Sequence, residues 1–407
     1  MIMKFLYLNN IYIILHMIIF YSILTTLISY VVSSKILKGS YVVFGDSIVM
    51  LVRLQETETS IIITPNLESD FNFISDIAFH PITPSKENRT IILNDMPYNA
   101  ERHKVTLLSN DINITNFDFF FLSNATRFIT GDNLGLAYES RYSDMSLIQS
   151  MKAQGLIDEL QFGFSKKLID DNGVIYFGGI DDSILRLYEH ASCKINEHST
   201  FWGCNLRYIY LDGNATIGYV VKGESHFSSS TEKIFVPSSF FDFLKKKYFD
   251  SLIERNECSY EGNTNKKKLS CKCNQVNDLL KITFVIDSIA FTFDSRHLFN
   301  KLFDYCYFII KADDKKTNNG QNWILGSRFY SRYYTFFDYE DKSVNFYQDE
   351  DFDYVDINKF LENQTNIYKV YMIITICIVS SIAFWSSANS SRVANLLLNS
   401  SANVIIL

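Results

Sequence analysis

Seven cysteines, seven histidines and 45 acidic side chains are the groups in this 407-residue sequence that could carry metal, nucleophilic or acid–base chemistry. The histidines are scattered, so Ser228, in the run Ser228-Ser229-Ser230-Thr231, has no recognisable triad partners. There is no His-Glu-x-x-His pair, no phosphate-binding loop and no Gly-x-Ser-x-Gly elbow. Cys271 and Cys273 lie one residue apart with no His pair at ligand spacing, so no metal site and no cofactor is expected. A carboxylate beside a hydroxyl occurs at Asp46-Ser47. Around the serine run, no aspartate stands between Asp212 and Asp242, and Glu224 and Glu232 read as exposed strand-end charges. His103 and His226 read as surface residues.

The elements available to position such groups are strands. Phe (34) and Tyr (25) are abundant while Gly (16) and Pro (5) are few, a composition suited to half-buried pleated surfaces. Short apolar runs at 47–54, 59–64, 174–179 and 282–287 are broken by Asn, Asp, Gly and Ser. Helical spacing is confined chiefly to 143–157 and 238–249, each opening on serine. The fold class expected is all-β with a few short helices. The runs 263–268 and 313–322 read as solvated loops, and 347–356 as a charged stalk.

Residues 1–34 carry Lys4, an apolar stretch and then Ser33 and Ser34, which reads as a signal peptide or an uncleaved signal anchor. A second apolar segment, Val370 to Trp385, flanked by Tyr368 and Lys369, reads as a membrane helix over 368–386, followed by a short tail over 387–407. The sequons at Asn88, Asn113, Asn124, Asn214 and Asn363 precede it, as expected of a glycosylated lumenal or extracellular region. Six cysteines lie between the apolar segments, which suggests up to three disulfides in an oxidising compartment. Localisation is therefore expected in the secretory pathway, single-pass in a membrane. A net charge of -7 gives no reason to bind a phosphate backbone, so no nucleic-acid partner is expected.

Several ordered segments resemble the pepsin-like aspartic proteases (peptidase family A1). In WILGSRFYSRYYTFFD the residues Trp323, Ile324, Leu325, Gly326, Tyr333, Tyr334, Thr335, Phe337 and Asp338 match that family's C-terminal run, with Ser327 where the family has Asp. NLGLAYES (133–140), the stretch 146–167, GVIYFGGID (173–181), Phe201-Trp202, YIYLDGN (208–214) and 273–293 resemble further segments in the family's order. The resemblance covers roughly 41–347. It implies a bilobal β fold, with an N-terminal lobe over 35–183 and a C-terminal lobe over 184–350; the charged stretch beyond it is read as a stalk over 351–367. It also implies that Gly135 and Gly326 are the ψ-loop glycines and that Cys273 pairs with Cys306. Cys193 with Cys204 and Cys258 with Cys271 are possible further pairs, the connectivity being open from sequence.

The family's two aspartates sit in Asp-Thr-Gly or Asp-Ser-Gly, and neither tripeptide occurs here. Counting from Pro237 puts Ser228 at the second position; aligning 60–73 puts Pro65 at the first, with Asp46 as competitor. The family's flap should fall near 90–108, where Tyr98 is the flap candidate. The expectation is a catalytically inactive pseudoprotease that binds a peptide or protein ligand between its lobes and is held to a membrane by its C-terminal helix. An aspartic-type endopeptidase and a structural surface glycoprotein are the alternatives.

Overall fold

The structure, a computed structural model, describes residues 35–44, 47–55, 58–69, 72–74, 88–93, 96–109, 112–123, 132–138, 146–165, 172–261, 268–318, 322–330, 332–348, 352–355, 369 and 372–381. Period-two burial builds its strands. In Ser47–Leu54 the side chains of Ile48, Met50, Val52 and Leu54 are buried while Leu51 and Arg53 face out. Among the described residues helices are few and short. Leu147–Ala153 falls inside the expected 143–157, and Ser238–Leu244 runs through a π-turn at Lys245–Phe249 into Asp250–Glu254, beyond the expected end at 249.

Among the described residues the strands form sheets of 13, 8 and 4. The first joins the lobes: its order runs Glu189–Lys194, Ser343–Gln348, Tyr334–Asp338, Gln161–Phe164, Asn172–Phe177, Leu37–Phe44, then on through the N-terminal lobe. The lobe boundary is the antiparallel pair in which Thr335 faces Phe164 and Phe337 faces Phe162. Phe162 and Phe337 stack at 5.0 Å, and Trp202 meets Phe337 edge-on at 5.1 Å. The Trp202 indole N–H donates to the Leu136 carbonyl at 2.6 Å, so this aromatic knot also joins the lobes through a hydrogen bond.

The four-stranded sheet carries two of the three disulfides. Cys258 faces Cys271 across an antiparallel pair and bonds to it, and Cys273 bonds to Cys306; Cys193–Cys204 lies beside the lobe boundary. Cys273–Cys306 is the pairing that the resemblance implies, and the other two are those left open from sequence.

The C-terminal lobe does not stop at residue 350. Phe352 is buried against Phe291 and Tyr333, and Asp353–Tyr354 adds a strand to Ile289–Ala290. The start of the expected stalk is therefore docked, because an aromatic ring within an acidic run has an apolar pocket to fill. Most of 263–268 lies outside the described residues, and Lys268 opens a strand; in 313–322 Thr317 is buried, so that loop is anchored rather than simply solvated.

The expected membrane helix is described only at Lys369 and over 372–381, about 15 Å of rise, half of a hydrocarbon core. Among the described residues no helix is long and apolar enough to cross a membrane. Residues 1–34 and the tail over 387–407 lie outside the described residues.

Candidate functional site at the lobe junction

Each lobe carries one strand that ends in a loop, and a parallel neighbour that fixes where the loop begins. In the N-terminal lobe Thr59–Asn66 runs parallel to Asp132–Gly135, with Asn66 facing Gly135. In the C-terminal lobe Asn214–Phe227 runs parallel to Asn322–Leu325, with Phe227 facing Leu325, so that Ser228 stands level with Gly326. Gly135 and Gly326, level with the two strand ends, thus place Asn66 and Ser228 at equivalent positions. Pro65, aligned with the first aspartate from sequence, stands one residue earlier and is buried on the same face as Ile61, Ile63 and Leu67. Burial alternates over 61–67, which leaves Asn66 off the face that buries Pro65.

Gly326 is at a close approach, and Gly135 is held by a buried side chain. A Cβ at Gly326 would lie 2.3 Å from the Lys233 carbonyl oxygen and 2.5 Å from that of Thr231. The Gly135 amide donates to Asn72 Oδ1 at 2.8 Å, and Asn72 Nδ2 donates in turn to the Asp118 carbonyl.

The loops meet through Ser229. Its hydroxyl donates to the Pro65 carbonyl at 2.5 Å and accepts from the Leu67 amide at 3.0 Å. Leu67, the residue equivalent to Ser229, has no hydroxyl to return the bond, so the clasp is one-sided. Nearby, Ile48 N–H donates to the Ser229 carbonyl and the Ser47 hydroxyl to the Ser230 carbonyl, tying the N-terminal hairpin to the same loop. Asp46 itself lies outside the described residues.

Side chains beside the clasp form a polar chain. The Ser228 and Ser230 hydroxyls are 3.0 Å apart, and Ser230 donates to Glu68 Oε2 at 2.8 Å across the lobe boundary. Asn66 Oδ1 accepts from the Glu68 amide at 2.8 Å, an Asx turn that orients the segment. Beneath lies Tyr330, whose hydroxyl donates to the Ser228 carbonyl; burial above all pushes its phenol well up from the ordinary value, with help from Tyr41 and Glu68. It is held as a permanent donor. Glu68, exposed and joined to the other lobe, is the carboxylate that the sequence reading missed.

Glu232 and Glu224 are not exposed charges. Glu232 is buried, paired with Arg328 at 3.3 Å and bound by Asn300; Glu224 is bound by Asn196 and His226. Arg328, Asn300 and Asn196 come from distant segments, which local sequence does not reveal; His226 is two residues from Glu224. His103 is likewise buried, edge-on to Phe121, and His226 is largely covered by Phe201.

Tyr98 lies half-buried on a hairpin formed by Asn88–Leu93 and Met96–Ser109, opposite Ile91. Of the sequons, Asn113 is exposed on Ile112–Ser123 and Asn88 and Asn214 lie on strands; Asn124 and Asn363 are outside the described residues. Among the described residues no group of His, Cys, Asp and Glu could hold a metal ion.

Two lobes joined by a shared sheet, each with a parallel strand pair behind a central loop, define an aspartic-proteinase architecture. A family model described as eukaryotic aspartyl protease matches residues 103–348, and the chain belongs to that family. Gastricsin of Suncus murinus is 23% identical over 220 residues, 52% of this chain and 53% of that protein. Human gastricsin is 23% identical over 252 residues, 59% of this chain and 61% of the relative. Pepsin A of Sus scrofa is 27% identical over 216 residues, 52% of each. The match thus spans a little over half the length of these relatives. The crystal structure of an aspartic proteinase from Irpex lacteus superposes with a TM-score of 0.61 at 14% identity, covering 76% of this chain and 96% of that one. Family and disulfides together point to the secretory pathway.

Proposed function

We propose that this chain is a non-catalytic member of the aspartyl protease family whose inter-lobe cleft binds a peptide or a protein segment. The observation that carries the reading is that Asn66 and Ser228 occupy equivalent positions behind the ψ-loop glycines, and neither bears a carboxylate. An amide and a hydroxyl cannot share a proton as an acid–base pair, so no water is activated there. Ser228 is fully buried and cannot serve as a nucleophile instead. The hairpin carrying Tyr98 is assigned the role of flap. Anchoring by residues 368–386 belongs to the same reading, supported by the exposed apolar side chains of Met372, Ile373, Ile374, Ile376, Ile378 and Val379.

The test is hydrolysis of a broad peptide pool by the purified full chain at acidic pH, with and without pepstatin. No cleavage is expected. Pepstatin-sensitive cleavage abolished by Asp46→Ala or Glu68→Gln would establish the endopeptidase instead. Carbonate extraction of membranes tests the anchor, and release of the chain would remove it.

A further inference from the structure

We infer that Glu68 makes this junction a receptor for a cation, and that the bound peptide presents a lysine or arginine side chain or a free N-terminal amine there. The inference rests on the cleft-binding reading and names the chemistry that the cleft selects.

Glu68 lies in the turn that follows Asn66 at the end of its strand, and it is exposed. Its backbone amide is fixed by Asn66 Oδ1 and its Oε2 accepts from Ser230 of the other lobe, so the carboxylate is oriented from both sides. One oxygen is engaged by a neutral hydroxyl, and the group stays exposed. The groups around it, Ser228, Ser230 and Asn66, contribute no positive charge. No ion pair among the described residues includes Glu68, whereas Glu232, which follows Ser230 in the same loop, is already neutralised by Arg328. A fixed, partly solvated anion flanked by hydroxyl and amide acceptors suits an ammonium or guanidinium, which carries only donors. A peptide carboxylate at the same place would be repelled.

The test uses the full chain and a library of short peptides in which one position at a time is lysine, norleucine or glutamate, read by fluorescence polarisation. Lysine is expected to bind about fivefold more tightly than norleucine at one position, and glutamate more weakly than either. Glu68→Gln, which keeps an acceptor for Ser230, is expected to erase the lysine preference. The preference should also fall as ionic strength rises from about 0.05 to about 0.5 M. Equal binding of lysine and norleucine peptides, or a lysine preference that survives in Glu68→Gln, overturns this inference alone. Failure of all peptides to bind overturns the cleft reading together with it.

Discussion

Ser229 donates its hydroxyl to the Pro65 carbonyl across the lobe boundary, and this bond of 2.5 Å fixes the two central loops to each other. Because the same oxygen accepts from Leu67 N–H, Ser229→Ala leaves two buried backbone groups without partners. A loss of about 2–3 kcal/mol is expected, read as a lower denaturant midpoint with an unchanged slope.

Gly326→Ala should be worse. The new methyl would stand within 2.3 Å and 2.5 Å of two backbone oxygens, which have no rotamer to escape into. A destabilisation above about 3 kcal/mol is expected, visible as loss of secreted, folded protein.

Restoring chemistry needs both loops. Asn66→Asp and Ser228→Asp are each expected to leave peptide hydrolysis at background, whereas the double substitution should raise it at acidic pH. Release of a quenched fluorescent peptide measures this. Activity in either single variant would contradict the equivalence of the two positions.

Acid should weaken the lobe edge at Asp181. Hydrogen bonding to the Lys38 ammonium and to Ser183 holds its carboxyl down to about 2. Since the folded value lies below the unfolded one, near ~3.9, the stabilisation is complete above the unfolded value and lost as pH falls towards 2. Asp294 behaves alike: burial works to raise it, but Arg296 and His297 bring it to about 2. Thermal melts at about pH 5 and about pH 2.5 should show a smaller acid loss in Asp181→Asn than in wild type.

Cys273–Cys306 closes the longest loop of the three, 33 residues apart against 11 and 13, so removing it should cost most, about 4 kcal/mol from chain entropy. Paired Cys→Ala variants compared by chemical denaturation decide the order.

The fold class and Ser228 were legible in sequence for concrete reasons. Apolar alternation marks strands such as Ser47–Leu54, and Pro237 anchors the count back to Ser228. The first lobe was harder. Ile61-Ile62-Ile63 is apolar on both faces, so a slip of one residue goes unseen until pairing with Asp132–Gly135 fixes the register at Asn66. Glu68 escaped notice because its importance comes from Ser230, 162 positions away. Phe352 shows the same limit in a different form, an apolar ring hidden by the acidic residues around it.

The sheet shared by the lobes sets an order of events during synthesis. Gln161–Phe164 has its outer edge covered only by Tyr334–Asp338, a strand made long after it. Until the ribosome has delivered residues near 340, the N-terminal lobe carries an open, phenylalanine-lined edge that can recruit another chain. Nascent chains stalled before that point should therefore depend on chaperones, and completion of the C-terminal lobe is what makes its predecessor safe from aggregation.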